Sequence, residues 1–526
     1  MRVKTEIKRI VIVGGGTAGW LTACVLAAEL DLINSDFSIT LVESSDINPI
    51  GVGEGTWPTM RGTLKKIGIS ENEFISTCDA SFKQGSQFIN WQGQTATNPV
   101  YAQDSYIHPF TLPQDFQNIN LAPHWQEYSE QVNFADAVSS QSVLSKLGKA
   151  PKLITTPEYS FISNYGYHLD AGKFSGLLKK QAKDKLNVNH IIDNVIAVNN
   201  DKNADISDIE TEKNGKIAGD LFVDCTGFAS LLIGKHYNID FISKQHQLFN
   251  NTAIAIQAPY NDPNDDIASC TLSTAQSNGW IWDIGLQSRR GVGHVFSSEH
   301  TSAEKAEQQL RQYLTATLGL KKAEELTSRT IKFNPGHRKK FWHNNCLAIG
   351  MSAGFIEPLE ASALALIEQS AMFLAEQFPK NRSTMKIIAK RYNQTTSQHW
   401  TQIIEFLKLH YVLSKRTDSQ YWFDNVATES IPESLIENLE LWQHQYPYHA
   451  DQVARNPLFP AASYQYVMFG MGFKSSSITK RNNKIIQQKA QQLFKENIQR
   501  TQQQAAVLTS NRELLNKVKK FGFAKI

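Results

Sequence analysis

The chain has 526 residues, 41% hydrophobic and 20% charged, with 53 basic against 50 acidic side chains. At about 150 residues per domain that length predicts two to four units, apolar enough for a sizeable core and unlike a disordered chain. A net charge of +3 excludes the basic surface that recruits nucleic acid or acidic lipid.

The five cysteines (Cys24, Cys78, Cys225, Cys270, Cys346) are scattered and lack C-x-x-C pairs. That pattern predicts a reduced, cytoplasmic protein with no disulfide framework and no metal site. No apolar stretch reaches the ~20 residues of a membrane span. The basic N-terminus precedes a run broken by three consecutive glycines, unlike a signal peptide.

Ile10 to Val13 form a β-branched run that reads as a buried parallel strand. It enters Gly14, Gly15, Gly16, Thr17, Ala18 and Gly19, where Gly14, Gly16 and Gly19 have the G-x-G-x-x-G spacing, and then an Ala/Leu-rich helix. The glycines serve a tight turn, close approach of backbone to a pyrophosphate and close packing of helix on strand, while the helix N-terminus offers N–H groups to phosphates. A second apolar run (Ile39, Leu41, Val42) ends at Glu43, 24 residues beyond Gly19. A carboxylate there accepts from a ribose 2′-hydroxyl, so the unit predicts a dinucleotide with an unphosphorylated ribose, such as FAD or NAD.

Next comes GVGEGTWP, Gly51 to Pro58, a glycine-rich loop whose proline opens a helix through Leu64 and Ile67. Ser70 and Glu73 form a capping box for a helix running towards Phe82, with Lys83 at its end. Residues 84–125 are aromatic and turn-rich (Tyr101, Tyr106, His108, Phe110, Trp125), which reads as excursions from a sheet that build a substrate wall. An amphipathic helix over 174–183, a strand near 194–198 and a hairpin at Asn214–Gly215 follow. Leu221 to Cys225 and Cys346 to Gly350 are two further apolar strands ending in small-residue turns, the second followed by a helix near Glu360.

Three such crossings exceed a simple NAD domain and match FAD enzymes of the glutathione-reductase type. The expected fold is therefore α/β, a Rossmann-like parallel sheet binding FAD, with a substrate-binding sheet and a mostly helical C-terminal region. Residues 1–375 make the FAD module, interleaved with substrate-wall segments at about 84–165 and 240–335, and 376–526 form the helical cover. The glutamine-rich end reads as a solvated terminal helix.

Three positions carry candidate chemistry. Lys83 sits among aromatic residues in SFKQGSQFINW, where a plain surface charge is the alternative. Glu360 lies in GFIEPLEAS behind a rigid proline, where an acid favourable to a helix dipole is the alternative. Trp280 and Trp282 in GWIWDIGL share one strand face, which more often means core packing than substrate contact.

Together GGGTAGW, GVGEGTWP, the lysine of SFKQG, WIWDIG and FIEPLE resemble the flavin-dependent halogenases typified by tryptophan halogenases, over Ile10 to about Gly472. The resemblance implies FAD, used as FADH2, with O2 and a halide ion (chloride or bromide). A flavin hydroperoxide yields hypohalous acid, which moves to a separate aromatic-substrate pocket. There Lys83 holds it as a haloamine or by hydrogen bonding, and Glu360 stabilises the cationic intermediate or takes the ring proton. A lysine partly desolvated by aromatic neighbours can meet an electrophilic halogen as neutral amine or proton donor, which agrees.

Position by position, the resemblance places FAD at Gly14 to Gly19, Glu43, Val195, Met351 and Leu364. It places the halide at the backbone N–H groups of Ser362 and Ala363, and the aromatic substrate between His108 and Phe110, with Glu360 and Tyr464 (or Tyr466) as further walls. It further implies a separate flavin reductase that supplies FADH2. A homodimer is compatible with the sequence.

Two departures stand out. The family's E-S-T-G reads Glu360-Ala361-Ser362-Ala363, so the missing glycine predicts an altered halide loop; Gly285 stands where the family has proline. The flavin loop Gly350-Met351-Ser352 lacks the aspartate of ordinary hydroxylases of this fold, which favours the halogenase side. No tyrosine-rich segment for an amino-acid head is found, which points to an indole or another aromatic ring, with free tryptophan still open. The alternatives are a FAD-dependent aromatic monooxygenase and a non-catalytic flavin-binding protein.

Overall fold

In the computed structural model, residues 6–46, 53–93, 104–451, 457–476 and 484–524 are described. Gly51 and Tyr101 lie outside them. Two units are resolved by packing: residues 1–79, 169–244 and 334–400, and residues 80–168, 245–333 and 401–526.

The first unit grows from the strand Arg9–Val13, whose apolar residues are buried on both faces as a central parallel strand requires. It pairs in parallel with Ser38–Glu43 on one side and Leu221–Asp224 on the other. Cys346–Ala348 and Asn189–Ile192 extend the sheet in parallel, and Trp342–His343 closes one edge antiparallel. Helix Thr17–Glu29 follows the glycine turn and buries Trp20 to Ala27 without a break. It is apolar nearly all round because helices Ala171–Asp184 and Ser362–Glu376 pack against it in addition to the sheet.

Main-chain bonds tie the strand ends together: Gly14 N to Val42 O (2.8 Å), Cys225 N to Val13 O (2.8 Å) and Ile349 N to Asp224 O (3.0 Å). The three predicted strand-to-loop crossings therefore meet at one carboxyl edge, where open α/β sheets bind ligands. The buried Asp224 shapes the middle loop, its carboxylate accepting from the N–H and hydroxyl of Thr226 and from the N–H groups of Leu232 and Ile233. The predicted hairpin forms as Ile206–Thr211 and Gly215–Ala218, beside Val195–Asn200.

The second unit contains a seven-stranded sheet in the order Ser328–Lys332, Thr252–Pro259, Arg289–Phe296, Gly279–Gly285, Thr271–Gln276, Gly85–Ile89 and Ser105–Pro109. It is antiparallel except between Thr271–Gln276 and Gly85–Ile89. One face is sealed by Ala306, Leu310 and Leu314, one stripe of helix Ala303–Leu318, against Ile254, Ile281, Val292 and Phe296. Trp280 and Trp282 are buried, 6.4 Å apart, and Trp282 lies over Gly293, where an added Cβ would fall 2.1 Å from its ring. Their placement is that of core residues.

Three local expectations are corrected. Pro58 does not open a helix; it occupies a turn (Arg61 N to Pro58 O, 3.3 Å), and the helix is Met60–Lys66. The capping box holds, with Ser70 accepting from Glu73 N, but that helix stops at Thr77 because Asp79 turns left-handed at φ 53°. Lys83 consequently lies on a strand, Ser81–Lys83, rather than at a helix end. Among the described residues, no helix is long and apolar enough to cross a membrane.

Candidate active site

In the first unit the glycine turn has the shape a pyrophosphate needs. A Cβ on Gly14, at φ 115°, would fall 2.2 Å from Cys225 O, and one on Gly19 would fall 1.9 Å from Gly14 O. These two glycines are required by close packing, whereas Gly16 faces open space at the start of a helix with no side-chain cap. Open room before uncapped N–H groups, with no acid in the first turn, fits a dinucleotide phosphate.

Glu43 closes over Gly15, and its Oε2 accepts from Lys179 Nζ at 3.1 Å and His190 Nε2 at 2.9 Å. Burial, then the neighbouring Lys179, lowers the pKa of His190 below its ordinary value. Sequence reading missed both partners, since neither adjoins Glu43 in the chain. Val195 is half-buried on its three-stranded sheet, opposite Thr211.

Further along this unit, Met351, Ser362 and Ala363 line a single cavity of about 50 Å³ with Tyr392, Thr396 and Trp400. Leu364 is buried in the core one residue beyond it. Ser362 begins helix Ser362–Glu376, whose N-terminus again has no side-chain cap. Ala363 lies in the first turn of that helix, outside the left-handed region.

The left-handed residues are instead Glu360 (φ 63°) and Ala361 (φ 54°). Glu360 is only 6% exposed, and the indole Nε1 of Trp57 donates to its carbonyl oxygen at 2.9 Å. Glu368, six residues beyond Ser362, accepts from Thr63 Oγ1 at 2.6 Å and Thr59 Oγ1 at 3.1 Å. Burial pushes its pKa up to about 7. Trp57 was visible as part of GVGEGTWP, but nothing in its spacing announced this contact.

In the second unit Lys83 is buried at 1% exposure. Ser81, Phe82 and Lys83 pair with His168, Tyr167 and Gly166, so Ser81, Lys83 and His168 share one face while Phe82 turns to Tyr165, 5.2 Å away. Lys83 Nζ stands 5.5 Å from the centre of the Phe110 ring. His168 is fully buried, with Nε2 2.8 Å from Thr271 Oγ1, and burial together with the Lys83 charge lowers its pKa well below the ordinary histidine value.

Two residues before Phe110, His108 is buried with Nε2 2.9 Å from Ser463 Oγ. Its ring lies 5.6 Å from Phe406 and 6.1 Å from Tyr466. Tyr464 packs on Phe406 (5.1 Å) and Trp442 (5.2 Å), so Tyr466 is the tyrosine beside His108. Gly285 has no room for a Cβ, which would fall 2.9 Å from Ile267 Cγ2 and 3.1 Å from the Tyr260 hydroxyl.

A parallel α/β sheet with a glycine turn at its carboxyl edge defines a dinucleotide-binding class of protein. The tryptophan halogenase family model matches residues 9–487, and the chain belongs to that family. It is 33% identical over 479 residues to 7-chloro-L-tryptophan 6-halogenase KtzR of Kutzneria sp. (strain 744), covering 88% of this chain and 90% of that one. Among solved structures, a tryptophan halogenase from Shewanella frigidimarina NCIMB 400 superposes with a TM-score of 0.95 at 53% identity, covering 99% of both chains. A tryptophan C-6 flavin-dependent halogenase (chlorinase) of taromycin biosynthesis gives a TM-score of 0.87 at 31% identity, covering 97% of this chain and all (100%) of that one.

Proposed function

We propose that the protein halogenates an electron-rich aromatic ring of the indole class, with Lys83 and Glu360 as its catalytic residues. The observation that carries the reading is Lys83, a cation with 1% exposure set beside the Phe110 ring. Reduced FAD supplies the redox chemistry, in the net balance FADH2 + O2 + X⁻ + H⁺ → FAD + H2O + HOX.

The chain's own residues do the rest. The turn Gly14 to Gly19 and Glu43 hold the adenosine half of the cofactor, with Val195 beside it and Met351 and Leu364 near the flavin. The N–H groups of Ser362 and Ala363 bind the halide; anion binding by main-chain amides tolerates side-chain change. The Lys83 ammonium donates a hydrogen bond to the oxygen of HOX, leaving the halogen free to meet the ring. Phe110 and His108 hold the flat ring, with Tyr464 behind Phe406. As the ring carbon takes the halogen the O–X bond breaks, and the hydroxide leaves as water with a proton from Lys83; the Glu360 carboxylate stabilises the resulting ring cation and accepts its proton as the C–H bond breaks.

A separate flavin reductase supplies FADH2. The test is to incubate the protein with a reductase, FAD, NADH and bromide against a panel of indoles, tryptophan included. Mass spectrometry should show a bromine isotope pair on a ring product. Hydroxylated product without halogen would favour the monooxygenase reading and overturn this one.

A further inference from the structure

Glu360 and Ala361 are consecutive non-glycine residues in the left-handed region, a conformation that crowding of Cβ against the carbonyl oxygen disfavours. Such a pair persists where the surroundings over-determine it. One support is local, Ala361 N donating to Pro358 O at 3.0 Å. A second comes from 303 positions away, where the indole Nε1 of Trp57 donates to Glu360 O at 2.9 Å.

The Trp57 segment is itself anchored. Thr59 and Thr63 donate to the two oxygens of Glu368, on the helix that the turn begins. Residues 57–63 therefore grip both the apex of the turn and the body of its helix, closing a ring of hydrogen bonds around the strained pair. If the apex were released, the Glu360 carbonyl would swing, and the Glu360 carboxyl and the Ser362 and Ala363 N–H groups would move with it.

We infer that Trp57 is a positioning residue, which through its bond to the Glu360 carbonyl holds the left-handed turn and so sets the catalytic carboxyl and the halide amides together. The inference rests on the halogenase reading. Its own signature is that glycine at position 361, which adopts the left-handed conformation without crowding, should replace the need for the indole.

The experiment compares wild type, Trp57→Phe, Ala361→Gly and the double variant as FAD-loaded enzymes, measuring KM for bromide, kcat, FAD affinity and melting temperature. Phenylalanine keeps an aromatic side chain but removes the donor together with the second ring of the indole, so recovery by glycine at 361 is what separates a lost turn restraint from lost packing. Trp57→Phe should raise KM for bromide about tenfold, equivalent to about 1.4 kcal/mol, with FAD affinity within about twofold. Ala361→Gly in that background should recover most of the loss.

An unchanged bromide KM in Trp57→Phe overturns the inference, as does a deficit that the double variant retains in full. If Trp57→Phe does not accumulate, recovery of soluble protein by the double variant supports it and failure of both overturns it. Absence of halogenation by the wild type would sink the functional reading instead, so the two failures are distinguishable.

Discussion

In the proposed mechanism the turn at Glu360–Ala363 and the strand at Ser81–Lys83 would act by different means. In the turn, the elements of interest are main-chain groups, and what prepares them is backbone strain held by a distant indole. In the strand, the backbone is ordinary antiparallel β, and what matters is one side chain, an amine at 1% exposure. Main-chain N–H groups tolerate exchange of the side chains beside them. A site made of one functional group tolerates none. The two regions should therefore respond differently to substitution.

The largest effect is expected at the strand. Lys83→Ala should reduce halogenation about 10³-fold or more, within the ~10²–10⁴ range of a positioned proton donor, while FAD binding persists. Full activity in that variant would break the comparison by making the amine dispensable. Glu360→Gln should cost about 10²-fold, mainly in kcat, because the turn survives and only the proton acceptor is lost. An equal rise in bromide KM would show that the carboxylate also holds the turn. Phe110→Ala should raise the substrate KM by roughly threefold to tenfold, the ~0.5–1.5 kcal/mol of a lost aromatic pairing, with a smaller change in kcat. A larger loss in kcat than in KM would mean that Phe110 serves Lys83 more than the substrate.

Legibility in the sequence followed the same division. The nucleotide unit was readable because its chemistry is local: strand, glycine turn, helix and Glu43 fall within one stretch of chain, and each obeys a steric rule. Lys83 was readable as a residue but was misplaced on a helix end, since the capping box at Ser70 gave a start and the left-handed Asp79 gave no equally strong stop. Tyr464 and Tyr466 stand two apart on one helix, and only the packing of His108 distinguishes them. His168, Ser463, Lys179, His190 and the indole of Trp57 were not readable, because each gains its meaning from a partner brought close by folding. The strained pair at 360–361 was least legible of all. No composition rule places non-glycine residues there.

The smallest effect on activity is expected at Glu368, and it shows how the turn is supported. Burial pushes this carboxyl up to about 7, above its ordinary 4.5, so the folded protein keeps a proton that the unfolded chain releases. The resulting stabilisation is complete below the unfolded value and is lost as pH rises through about 7. Glu368→Gln keeps a neutral, hydrogen-bonding group facing Thr59 and Thr63. Its activity at pH 7 should stay within about twofold of wild type, while its stability should fall less steeply between about pH 5 and pH 8. The gap at the upper end should be about 1–3 kcal/mol in favour of the variant, since each tenfold change in a proton-binding constant is worth ~1.4 kcal/mol. Glu54, raised to about 7 by burial and by Asp170, titrates in both proteins and cancels from the difference. Parallel stability curves would mean that the two threonine hydroxyls hold Glu368 as a carboxylate, and the clasp beneath the turn would then be ionic rather than neutral.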